Sequence, residues 1–142
     1  MASDSAPTTH GGCLCGSVQY TVSGPLRPVW QCHCVRCQKV TGNFMAATGA
    51  LAADITLNHL GALNWFHPGD DPNVAYAFCR RCGSTMFWRM MDQDPADERW
   101  SICAGTLDDA VGLRTEAIWF SDHAAAHTHL DPTVEHLTSN DL

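Results

Sequence analysis

Eight cysteines, crowded into four short stretches of a 142-residue chain, constrain its fold more than any other feature. Cys13 and Cys15 form a C-x-C pair; Cys32, Cys34 and Cys37 form a C-x-C-x-x-C triplet; Cys79 and Cys82 form a C-x-x-C pair; Cys103 stands alone. A disulfide scaffold accounts poorly for this pattern. Such scaffolds carry more than roughly 8–10% cysteine in short secreted chains. The opening stretch MASDSAPTTH has neither the basic region nor the apolar run of a secretory signal. The expected setting is the cytoplasm, where thiols stay reduced.

Metal coordination explains the spacings better. Residues i and i+2 of a strand face the same way, so Cys13 and Cys15 are expected to point at one ion, as are Cys32 and Cys34. The segment CRRCG at 79–83 suits a tight turn that places two sulfurs on one metal. Zinc takes four ligands in a closed structural site and three in a catalytic one, which keeps a fourth position open. Cys13, Cys15, Cys79 and Cys82 therefore make a structural zinc site. Cys32, Cys34 and Cys37 are left one ligand short, the arrangement of a catalytic zinc. Two zinc ions per chain are expected. Three alternatives stand beside this reading: His33 as a fourth ligand, an iron–sulfur cluster, and Cys103 completing the triplet. His33 lies between two cysteines expected to share a face, so it is expected to point away. The triplet has no obvious fourth cysteine for a cluster. Cys103, in RWSICAG, reads as a small buried hydrophobe on a short strand.

The rest of the chain reads as all-β. SVQYTV (17–22) alternates apolar and polar residues with the period of a half-buried strand. Further strands are expected in FMAATGAL (44–51), DITL (54–57), ALNWFH (62–67), VAYAF (74–78), TMFWRM (85–90), WSICAG (100–105) and EAIWF (116–120), divided by turn formers. Helix signals are few: one turn at QKVTG after Cys37, and DPTVEHL (131–137), with Asp131 as cap and Pro132 at the first helical position. One domain is expected over residues 10–138, preceded by a disordered lead-in at 1–9 and followed by a tail at 139–142. The tryptophans Trp30, Trp65, Trp88, Trp100 and Trp119 fall mostly in strand-like runs and read as core, with one or two available to wall a pocket beside the open zinc. The histidines near the end, His123, His127, His129 and His136, read as solvated.

Charge narrows the partners. The formal net charge is −7, which argues against nucleic-acid binding driven by phosphate neutralisation. No apolar run reaches the roughly 18–20 residues of a membrane helix. Four of the eight basic residues, Arg36, Lys39, Arg80 and Arg81, lie within two positions of a cysteine. They balance thiolate charge or receive an anionic substrate.

Taken in order, GGCLCGSVQY, CHCVRCQKVTG, FCRRCGSTMFW and AGTLDD resemble the family of glutathione-dependent formaldehyde-activating enzymes, which includes centromere protein V. The resemblance runs from about Gly11 to about Phe120. It implies an all-β, Mss4-like zinc-containing fold, a structural zinc on Cys13, Cys15, Cys79 and Cys82, and a catalytic zinc on Cys32, Cys34 and Cys37. It also implies a carbon–sulfur lyase or synthase acting on glutathione and formaldehyde, or on a related thiol and aldehyde. The substrate sulfur is expected at the open zinc position, with Arg36 and Lys39 on the carboxylates of a peptide-like thiol and Thr41 and Gly42 beside them. The sequence departs from the family pattern at Asn43, where a serine is expected, and at DHAAAH, where a tryptophan usually follows the last strand. The competing functions are a non-catalytic zinc-based thiol binder and a zinc-ribbon-like interaction module.

Overall fold

The computed structural model describes residues 7–109 and 112–142. Two open sheets account for most of it. Strands β1 (Thr8–Gly12), β2 (Gln19–Ser23) and β5 (Ile55–His59) form a small antiparallel sheet in the order β1-β2-β5. The large sheet contains β3 (Val29–Cys32), β4 (Met45–Leu51), β6 (Leu63–Phe66), β7 (Val74–Cys79), β8 (Thr85–Met90), β9 (Arg99–Cys103), β10 (Thr115–Trp119) and β11 (Glu135–Leu137). Its order is β11-β10-β3-β4-β9-β8-β7-β6. Pairings are antiparallel except at one edge, where β10 runs parallel to both β3 and β11. No helix among the described residues is long and apolar enough to cross a membrane.

The period-2 pattern of SVQYTV does what it implies: Val18, Tyr20 and Val22 are fully buried. They join Phe87, Met86 and Ile102 in the core between the two sheets. The run VAYAFC has no such alternation and forms β7, a strand buried on both faces. One face gives Ala77 and Cys79 to this core; the other gives Val74 and Tyr76 to a second cluster with Cys37, Met45 and Ala47. β7 thus divides two apolar interiors.

Helix α1 (Val35–Thr41) is inserted between the adjacent strands β3 and β4. It begins earlier than the single turn expected at QKVTG, because the Cys34 sulfur caps it by accepting the Cys37 backbone N–H. It stops at Gly42, whose φ of 77° is the left-handed conformation that glycine adopts without a Cβ clash.

Two expectations are corrected. DPTVEHL is not helical: the Asp131 carboxylate binds the Thr133 N–H and hydroxyl in a turn, and Glu135–Leu137 then pairs with β10. The open edge of β10 offers Glu135–Leu137 a strand partner, whereas so short an isolated helix is marginal in water. The ordered chain also reaches into the expected lead-in. Thr8 and Thr9 belong to β1, paired with Ser23 and Val22, while residues 1–6 lie outside the described residues. The tail at 139–142 is held at its start, where the Ser139 N–H and hydroxyl both donate to Asp122.

Candidate metal centres

Cys13 and Cys15 do not lie on a strand. They occupy the tight turn that joins β1 to β2, where Gly16, at φ 80°, donates its N–H to the Cys13 carbonyl. The Cys79–Cys82 turn repeats the device. Cys79 ends β7, and Gly83, also at φ 80°, donates its N–H to the Cys79 carbonyl. Each turn brings two sulfurs to one place, and the four Sγ atoms lie within 4.8 Å of one another. The Cys15 sulfur is 3.7 Å from that of Cys13 and 3.7 Å from that of Cys79. Four sulfurs at the Zn–S distance of about 2.3 Å define a tetrahedron with edges of about 3.8 Å. A disulfide requires about 2.05 Å, and all eight cysteines are free. The donor set therefore fits a tetrahedral zinc.

Ser84 completes this centre. Its hydroxyl lies 3.2 Å from the Cys82 sulfur and accepts the Leu14 N–H, so it ties the two turns together. Hydrogen bonds from the Ser84 hydroxyl and N–H lower the Cys82 pKa to about 5. Ser17, through its hydroxyl and N–H, lowers that of Cys15. The Val18 N–H donates to the Cys13 sulfur. These donors stabilise thiolates, the form in which cysteine binds a metal.

The second centre is built on one segment. Cys32 ends β3, Cys34 caps α1 and Cys37 lies in its first turn. The expected strand geometry for Cys32 and Cys34 gives way to a strand end followed by a helix cap. The result still gathers their sulfurs with that of Cys37 within 4.8 Å. No fourth Cys, His, Asp or Glu among the described residues joins them. Hydrogen bonds from Cys32 and Cys37 pull the Cys34 pKa down to about 2, while Cys32 rises to about 11 and Cys37 rises further. In physical terms, the three share one readily released proton. A second and third ionisation at this spacing is opposed by the charge already there, and a cation would favour it.

His33 faces away from the sulfurs. Its ring stacks on Phe44 at 4.7 Å, and its Nε2 lies 3.0 Å from the Gln31 side-chain oxygen. Cys103, the last residue of β9, stands outside both groups. It packs against the same apolar cluster as the triplet, and burial pushes its thiol up to about 12. Trp88 joins that cluster, and Trp119 pairs with Cys32 across β10 and β3 while stacking on Trp30 at 5.1 Å.

The basic residues divide. Arg36 is held by Asp70 at 3.4 Å and Asp71 at 3.5 Å, in the loop before β7. Lys39 is exposed on the same helix, and its side chain makes no ion pair or hydrogen bond among the described residues. The Thr41 hydroxyl donates to the Cys37 carbonyl and accepts the Asn43 N–H, which closes the end of α1. Thr41 also lines a cavity of about 450 Å³, with Val40, Met45, Ser84, Cys103 and Gly105 among its other walls. Met45 is paired with Cys32 across β3 and β4, so this cavity borders the second centre.

Residues 8–123 match the family described as glutathione-dependent formaldehyde-activating enzyme. The chain belongs to that family. No curated protein is similar enough to this chain to be matched. Among solved structures, a Rhodobacter sphaeroides protein is similar in fold, with a TM-score of 0.58 and 22% sequence identity. The similarity covers 75% of this chain and 97% of that one. Membership accounts for the two cysteine groups at the level of a zinc-compatible domain with formaldehyde-activating or related chemistry.

The residue that sequence reasoning missed is Tyr76. Its hydroxyl lies 3.6 Å from the Cys37 sulfur, across 39 positions of sequence. Its place in VAYAF gave only the signal of a buried strand.

Proposed function

We propose that this protein catalyses the joining of a small peptide-like thiol to formaldehyde or a related aldehyde, and the reverse cleavage. One observation carries the reading. The same chain holds a group of four sulfurs and a group of three, and among the described residues the group of three has no further Cys, His, Asp or Glu donor. Cys13, Cys15, Cys79 and Cys82 hold the structural zinc, and Cys32, Cys34 and Cys37 hold the catalytic one. A zinc ion bound by three thiolates supplies a mild Lewis acid with one position left, at which an incoming thiol is kept ionised at neutral pH. In the reaction a carbon–sulfur bond forms as the carbonyl π bond opens, and the proton given up by the thiol ends on the new hydroxyl. Family membership and the two cysteine groups support this class of chemistry.

The chain's own residues bind and orient. The cavity beyond α1 receives the peptide part of the thiol. Of the two cations expected to meet its carboxylates, Lys39 has no side-chain partner among the described residues, and Arg36 must first leave Asp70 and Asp71. Thr41 and Gly42 fix the end of α1 at the cavity mouth. We place the reaction in the cytoplasm, with glutathione as the first thiol to assay. A reading as a thiol binder without turnover draws on one feature: among the described residues no carboxylate or histidine joins the three sulfurs to move a proton.

The test is Cys34→Ser. Serine is itself a good helix cap, so α1 and the fold are expected to persist while one zinc equivalent and all turnover are lost. Zinc is counted by metal analysis with and without glutathione, and turnover is followed by NMR of the hydroxymethyl adduct. Native turnover in this variant refutes the assignment. Stoichiometric capture of thiol by the native protein, with no enzyme-dependent rate, selects the binder.

A further inference from the structure

We propose that Tyr76 is a positioning residue of the three-sulfur centre, whose hydroxyl donates a hydrogen bond to the Cys37 sulfur and so sets how strongly that sulfur binds zinc. The inference rests on the reading of Cys37 as a zinc ligand.

Tyr76 lies in the middle of β7, and its residue is only 3% exposed. A buried phenol normally finds a partner for its O–H. Here the Cys37 sulfur at 3.6 Å is its one partner among the described residues. Once Cys37 is ionised as a ligand, the proton between the two atoms belongs to the phenol, so the direction of the bond is fixed. The position is held from several sides. β7 pairs with β6 and β8, and Tyr76 sits between Phe66 and Trp88 across those ladders. Cys37, in turn, is buried in the first turn of α1. Neither partner can move far without disturbing a strand or the helix.

A hydrogen bond to a thiolate withdraws electron density from the sulfur and fixes its lone pairs. Cys34 already accepts the Cys37 N–H, so two of the three sulfurs have an outer donor. Partners of this kind orient metal ligands, and their loss typically lowers metal affinity or activity by about 10–100-fold. Without Tyr76 the Cys37 sulfur is a stronger electron donor but a less firmly oriented one.

Tyr76→Phe removes only the oxygen, keeping the ring in its packing. Cobalt(II) replaces zinc as the probe, and its sulfur-to-metal charge-transfer bands report on the thiolates directly. The native protein is expected to bind two equivalents. In Tyr76→Phe the bands of the second equivalent should move to longer wavelength, those of the first should stay, and zinc affinity at the second site should fall about 10–100-fold. Trp88→Phe perturbs the same apolar cluster but keeps the hydroxyl, and should leave bands and affinity near native. Unchanged bands and affinity in Tyr76→Phe overturn the role of Tyr76 alone, as does an equal loss in Trp88→Phe, which would make the effect one of packing. A native protein that binds only one cobalt ion overturns the second metal site itself, and Tyr76 with it.

Discussion

Replacing Cys13 by serine separates metal ligation from packing at the four-sulfur centre. The two side chains are nearly isosteric, and Cys13 is half-buried in a turn rather than locked in the core. The Val18 N–H that donates to its sulfur at 3.3 Å can donate to a serine oxygen instead. Judged as packing, the change belongs with substitutions worth about 0.5 kcal/mol. Judged as ligation, it is large. Structural zinc contributes roughly 10–16 kcal/mol of apparent binding free energy in small domains. Losing one of four ligands forfeits at least a quarter of that, about 3 kcal/mol. At about 3–4 °C per kcal/mol for a domain of this size, Tm should fall by about 10 °C. Leu14→Ser is the control: the neighbouring side chain is 90% exposed, and Tm should move by about 2 °C or less. The assay is a thermal melt of both variants with zinc counted in each. A Cys13→Ser protein that melts with the native one and keeps two zinc equivalents refutes the four-ligand argument.

Two further outcomes follow from the cavity between the centres. Apart from its own chain neighbours, no atom of the described residues lies within 4 Å of a Cβ built on Gly105, whose backbone is not left-handed, so Gly105→Leu adds bulk at the cavity wall without a clash at Cβ. It should raise KM for glutathione several-fold while leaving turnover of 2-mercaptoethanol, which has no peptide part, near native; equal effects on both thiols count against the cavity as the peptide seat. Cys103 lines the same cavity but burial holds its pKa up at about 12, so at pH 8 only about one part in ten thousand is thiolate. Below that pKa its thiol keeps its proton, and iodoacetamide at pH 8 should leave it unmodified in the folded protein, as read by peptide mass spectrometry. Alkylation at the rate of a free cysteine shows that the thiol is not held protonated.

The partition of seven cysteines into four and three is legible in the sequence because C-x-C and C-x-x-C pairs can only close on nearby atoms. Their local geometry is not. Cys13 and Cys15 look like strand positions, yet Gly16 in the left-handed conformation turns the chain there. Cys34 looks like a strand partner of Cys32, yet its sulfur accepts a backbone N–H and starts a helix. Both errors have one cause: spacing of two fits a strand face and a turn equally well, and the hydrogen bond that decides lies outside the pair. The pairing of Arg36 with Asp70 and Asp71 and the contact of Tyr76 with Cys37 span 34 or more positions, so no local pattern carries them. The strand at Glu135–Leu137 escapes for the same reason: its partner is the edge of β10.

Why one centre has four sulfurs and the other three follows from how each is assembled. Two separate turns each deliver a pair, and the Ser84 hydroxyl draws the turns together at Leu14 and Cys82. The second centre draws on a single segment of six residues. After Cys37 the helix brings Val40 and Thr41 back to the face of Cys37, but neither is a cysteine, histidine or carboxylate, and both line the cavity instead. A fourth ligand would have to come from a neighbouring strand, and β7 offers the phenol of Tyr76 there. Three residues along, the same strand gives Cys79 to the closed centre. A second strap joins them: the Thr85 hydroxyl, next to Ser84, donates to the Val40 carbonyl of α1. Metal bound at the four-sulfur centre would therefore steady both elements that shape the three-sulfur one.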